Sequence, residues 1–152
     1  MTRRGLIVLA AGGSLALLVG AFGFQMLGYA PCKLCLWQRW PHAAAVLIGA
    51  LALWRPGALL PLLGALAALT TGGIGLYHTG VERVWWQGPD TCTSGDIGGL
   101  TPDQLMDQIL TAPLIRCDEV AWQFLTLSMA SWNMLISLGL AAIWVVAARR
   151  AG

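Results

Sequence analysis

The chain has 152 residues, enough for one domain, and 57% of them are apolar while only 11% are charged. Soluble globular domains carry roughly 45–50% apolar and about 25% charged residues, so the composition excludes an ordinary soluble fold and points to an integral membrane protein. The net charge of +2 matters less than where the charges lie, and no nucleic-acid partner is expected.

Four apolar runs predict four transmembrane helices in a single domain spanning residues 1–152, an all-α membrane fold. The first, 6–27, is broken only by Ser14 and Gln25. The start "MTRRGLIVLA" imitates a secretory signal, but the apolar stretch is about twice the usual length of a signal core. Pro31 also follows the small-residue site at Gly28–Ala30. A retained first helix is therefore expected. The run Ala43–Trp54 is too short to span alone, since a crossing helix needs about 20 residues. It becomes long enough if the helix begins near Leu34, giving a span of 34–54 with Gln38 and Arg39 in its first turns and a kink at Pro41. The remaining spans are 59–77 and 124–147. They carry small residues at short spacing (Gly64, Ala68, Gly72; Ser128, Ser131, Ser137) that let helices approach closely in lipid.

Charge sets the orientation. With four spans both termini share one side, where Arg3, Arg4, Arg55, Arg149 and Arg150 all fall without an acid. The seven carboxylates lie between the third and fourth spans. The positive-inside rule places the termini in the cytoplasm and the segment 28–33 and the long loop 79–122 outside. Trp37, Trp40, Trp85, Trp86 and Trp122 are expected at the outer interface, Trp54 and Trp144 towards the inner one. Within the loop, "LTPDQLMDQIL" reads as a short amphipathic helix. Thr101 caps it, Pro102 takes the first position and Gln104 completes a capping box. Its apolar face either lies on the membrane surface or packs on the protein.

All four cysteines, Cys32, Cys35, Cys92 and Cys117, fall on the outer side of this topology, where disulfides persist. A Cys92–Cys117 staple would close about 26 residues, worth roughly 3.5 kcal/mol on the chain-entropy relation. Cys32 and Cys35 close too short a loop to stabilise much, and a C-x-x-C pair is more often redox-active or metal-binding. Four-cysteine zinc ligation is disfavoured because Cys92 and Cys117 do not form a second short motif, so no metal is expected. Leu36 after Cys35 excludes haem attachment. A helix starting near Leu34 puts Cys35 in its first turn, where free N–H groups and the helix dipole favour a thiolate. Arg39, four residues on, shares that face and is expected to bring positive charge beneath it. Lys33 adds charge between the two cysteines. A dithiol gives up two electrons. With no nucleotide-binding glycine pattern and no evident haem ligands, elimination leaves a quinone as the acceptor for a thiolate at the membrane edge.

The stretch "PCKLCLWQR" resembles the first outer segment of the DsbB family of disulfide bond formation proteins, with its pattern P-C-x-L-C-x-x-Q-R. "LYHTGVE", a cysteine in the long loop and "CDEVAWQFLTLSMASWN" are similar to the same family, in the same order. The resemblance implies a four-helix transmembrane bundle in the bacterial inner membrane with its cysteine loops in the periplasm. It implies that Cys92 and Cys117 form a disulfide that oxidises a DsbA-like thioredoxin-fold partner, Cys92 making the mixed disulfide. Electrons would then pass to Cys32 and Cys35, with Cys32 exchanging with Cys117 and Cys35 facing ubiquinone or menaquinone. Arg39 and His78 match the family's quinone-linked arginine and histidine. Competing readings are a transmembrane reductant carrier, a vitamin K epoxide reductase relative, a cysteine-ligated metal protein and a stapled structural protein. The first lacks cytoplasmic thiols, the second has its C-x-x-C late in the chain, and the third lacks intramembrane carboxylates.

Overall fold

The computed structural model describes residues 1–89, 101–103, 106 and 116–150. Among these, four long helices begin where the local chemistry permits. Helix α1, Arg3–Met26, is capped by Thr2, whose hydroxyl accepts the Gly5 N–H at 3.2 Å. Helix α2, Lys33–Trp54, is capped by Cys32 rather than by a hydroxyl residue, and Pro41 lies inside it. Helix α3 is Leu59–Glu82. A two-stranded hairpin, β1 Gln123–Phe124 and β2 Leu127–Ser128, then leads into helix α4, Met129–Arg149. Ser128 ends the hairpin and caps α4 by accepting the Ser131 N–H at 3.2 Å.

Helices α1, α3 and α4 are long and apolar enough to cross a membrane. Helix α2 is of similar length, but Lys33, Gln38, Arg39 and His42 make its first half polar. Each helix packs on its sequence neighbours and α4 closes back on α1, so the four form a ring. Small residues set the spacing, most closely between α3 and α4. A Cβ at Gly75 would lie 3.1 Å from the Ala130 carbonyl oxygen, and one at Gly64 would lie 2.7 Å from the Trp144 ring. The core joins Ile7, Ala10, Ala52, Ala65, Ala68 and Trp144. At the end away from the C-x-x-C, the Arg3 guanidinium donates to the carbonyls of Arg55 and Gly57 at 3.1 and 3.0 Å. Arg150 donates to the Met1 carbonyl beside it.

Four expectations change. Helix α3 runs past Tyr77 to Glu82, so Glu82 lies on a buried helical turn with His78 instead of in the loop. Helix α4 starts at Met129, not Phe124, because Leu125 and Thr126 take φ of 51° and 64° and turn the chain. Trp144 is not interfacial: it is wholly buried, seated on Gly64. Helix α2 starts at Lys33, one residue early. Of the short helix expected at 101–110, Pro102, Asp103 and Met106 are helical, and the rest lies outside the described residues.

Candidate redox site

The site is built on the first turn of α2. Cys32 takes the N-cap place, so its Sγ accepts the Cys35 N–H at 3.2 Å, and the two sulfurs stand 2.7 Å apart. Both are free thiols. Capping geometry and the dipole together favour negative charge at this spot. The hydrogen bond shared with Cys35, then burial, pushes the Cys32 thiol up. Cys117 is disulfide-bonded and only 1% exposed. It packs with Cys32, Leu34 and Val81 in one buried cluster, with Cys35 against it. Beside it, the Arg116 guanidinium binds Asp118 through two hydrogen bonds, of 3.0 and 2.6 Å, and holds that exposed carboxyl below its ordinary range. Cys92 lies outside the described residues.

The extra turn of α3 brings His78 under the sulfurs. Its Nε2 is 3.6 Å from Cys32 Sγ and 3.9 Å from Glu82 Oε1, and the Cys117 backbone hydrogen-bonds the same side chain. Glu82 in turn accepts from the Ser128 hydroxyl, which meets Ser131 Oγ at 3.1 Å. On the other ring nitrogen, His78 Nδ1 is 3.0 Å from Gln38 Nε2. Gln38 Oε1 accepts from Asn133 Nδ2 at 2.7 Å, and Asn133 Oδ1 accepts from His42 Nε2 at 2.8 Å. A buried polar chain thus crosses from α3 through α2 to α4.

Arg39 lines the same cavity as Cys35, and its partners are on α1: it donates to Gln25 Oε1 at 2.8 Å and to the Ala21 carbonyl at 3.3 Å. Its guanidinium carbon stands 4.7 Å from the centre of the Phe22 ring. Between these groups is a cavity of about 250 Å³ with mostly apolar walls from α1 and α4. Cys35, Arg39 and His78 all line it, with Phe24, Trp122 and Trp132 contributing aromatic wall. Few, convergent polar groups in an apolar cleft are what a small-molecule site needs.

Of the residues singled out in the sequence, Cys32, Cys35, Cys117, Arg39 and His78 have their side chains gathered at one end of the bundle. Sequence reasoning missed Gln25, His42, Glu82 and Asn133, and gave Gln38 no role. The available signal was that polar residues inside apolar spans are costly and so mark function by default.

The comparisons agree with this chemistry. The family described as Disulfide bond formation protein DsbB matches residues 3–147. A Disulfide bond formation protein B of Xanthomonas oryzae pv. oryzae is 33% identical, over 80% of this chain and 75% of the relative. One from Albidiferax ferrireducens is 30% identical, over 95% and 87%. No solved structure matches the chain. A dithiol capping a membrane helix, a buried loop cysteine beside it and a match over nearly the whole chain lead to one conclusion: the protein belongs to the DsbB family of disulfide-forming membrane oxidoreductases.

Proposed function

We propose that this protein is a thiol:quinone oxidoreductase of the bacterial inner membrane that reoxidises a DsbA-like periplasmic dithiol protein. The termini face the cytoplasm and the cysteine end faces the periplasm, as the arginine distribution favours. The observation that carries the reading is that Cys35, Arg39 and His78 line one apolar cavity while Cys117 is packed against Cys32 on its far side. A membrane quinone held there by these residues would supply an acceptor for two electrons and two protons.

The residues then have separate tasks. Cys92 and Cys117 form the disulfide that meets the partner, with Cys92 taking the mixed disulfide. Cys117 exchanges with Cys32, its neighbour in the buried cluster. Cys35 closes the bond with Cys32 and faces the acceptor. Arg39, held by Gln25 and Ala21, offers a fixed cation on the α1 side of the cavity, and His78 borders both the cavity and Cys32. The cavity fits a head group with a few polar atoms, and its apolar walls exclude water.

The test is quinone reduction by the detergent-solubilised protein on adding reduced DsbA, with ubiquinone and menaquinone in parallel and a Cys35→Ser control. Turnover that vanishes in the control is expected. No turnover with either quinone by folded protein would overturn the reading. A second reading, a metal-binding protein, draws on the Cys32, Cys35 and His78 ligand atoms lying within 4.8 Å of one another. Stoichiometric metal in the purified protein would favour it.

A further inference from the structure

The polar chain across the bundle has backbone carbonyls along it, and these decide which nitrogen of His78 carries the proton. Gln38 Nε2 lies 3.2 Å from the Leu34 carbonyl oxygen. A carbonyl only accepts, so this atom is the amide nitrogen. Its second hydrogen serves His78 Nδ1 at 3.0 Å, which makes Nδ1 an acceptor and leaves the proton on Nε2. The same logic orients Asn133. Its Nδ2 faces the Thr71 carbonyl at 3.4 Å and Gln38 Oε1 at 2.7 Å, and its Oδ1 takes the His42 Nε2–H. Thr71 donates its own hydroxyl to the Gln38 carbonyl at 3.1 Å. Turning over the Gln38 or Asn133 amide would set oxygen against carbonyl oxygen and N–H against N–H in a buried site, at a cost of about 1–3 kcal/mol per unmet group.

We infer that Asn133 and His42 are positioning residues for the redox pair. Acting through Gln38, they hold the one N–H of His78 between Cys32 Sγ and the Cys117 carbonyl and so make the Cys32–Cys35 disulfide more strongly oxidising. The groups facing that N–H are Cys32 from α2, Glu82 from its own helix and the backbone of Cys117. Cys32 accepts from His78 and from the Cys35 N–H while sharing its proton with Cys35. Each donor polarises the next, so the charge on the reduced pair is stabilised cooperatively. Reduction adds two electrons to the Cys32–Cys35 bond and breaks it, and two protons make the thiols; the reduced pair then releases one proton to solvent as it becomes an anion. Stabilising the reduced form raises the couple's potential.

This inference deepens the oxidase reading, yet its test uses neither quinone nor partner protein. The full-length protein in detergent is equilibrated with dithiothreitol redox buffers, and the Cys32–Cys35 peptide is quantified by differential alkylation. Asn133→Leu and His42→Phe should each lower the equilibrium constant for reduction about tenfold, which is about 30 mV. Both should also move the thiolate absorption of the reduced pair to higher pH. His42→Gln, which keeps an N–H for Asn133, should retain most of the native value. An unchanged constant and pH profile in either folded substitution would overturn the inference, as would altered melting without a shift in potential. A shifted potential beside absent quinone turnover would instead count against the oxidase reading alone.

Discussion

Arg39 is tied to Gln25 by a 2.8 Å hydrogen bond between Nη1 and Oε1, which carries the cation of α2 onto the last turns of α1. A guanidinium at this depth is costly without partners, and the amide and the Ala21 carbonyl supply them. Gln25→Leu keeps the bulk and removes the acceptor. A hydrogen bond to a charged group is worth about 1.5–3 kcal/mol, so KM for quinone should rise roughly tenfold with kcat nearly unchanged. Steady-state quinone reduction measures this, and an unchanged KM would show that Arg39 needs no tether.

Gly64 and Trp144 make a second close pairing, because a Cβ on Gly64 would stand 2.7 Å from two ring carbons. The ring is fully buried. Gly64→Ala should destabilise the protein by about 1–3 kcal/mol, the usual cost of overpacking. Gly73, with nothing within 4 Å of its added Cβ, provides the contrast. Gly73→Ala should be neutral or slightly stabilising, since alanine is the better helix former. Thermal unfolding in detergent compares the two, and equal Tm values would refute the packing argument.

The hairpin before α4 carries Leu125 and Thr126 at positive φ, as its two-residue turn demands. For residues with a Cβ this conformation costs roughly 1–2 kcal/mol each, and a β-branched side chain bears it worst. Thr126→Gly should therefore stabilise the protein by about 0.5–1 kcal/mol, after the extra entropy lost by glycine. The expected sign is a higher Tm, and a lower one would mean that the Thr126 side chain repays its strain.

Cys32, Cys35 and His78 offer two sulfurs and a nitrogen of the kind that zinc prefers. In the reduced protein the two sulfurs are available and zinc must displace the proton on His78 Nε2, whereas a Cys32–Cys35 disulfide removes both sulfurs. Added Zn²⁺ should therefore bind the reduced form and block turnover until a chelator removes it. The oxidised form should bind at least tenfold more weakly, an order of magnitude in keeping with lost ligand support. Equal zinc binding by both forms, measured on the full-length protein, would place the metal elsewhere.

Much of this architecture is legible in the chain itself. Apolar runs of sufficient length define α1, α3 and α4, and the same rule carries α2 back across Gln38 and Arg39. The placement of Cys35 in the first turn of α2 follows from where that helix must begin. The pairwise geometry is not legible. Nothing local says that Arg39 finds Gln25, since the two meet only when α1 and α2 are packed. Nor does hydropathy extend α3 past Tyr77, because His78, Thr79 and Glu82 are polar; they become helical through partners on α2 and α4. Nor is the start of α4 legible, because Phe124 and Leu125 look like more of the apolar run, and backbone conformation rather than polarity breaks it.

The Arg3 clasp has a mechanical consequence. By fastening the first helix to the turn between α2 and α3, it pins the bundle at the end opposite the sulfurs. A bundle fastened at one end opens like tongs, with the widest excursion at the far tips. Any opening between α1 and α4 at the cavity would then be widest at the end that holds Cys32 and Cys117. Loosening the clasp would spread that opening along the whole length.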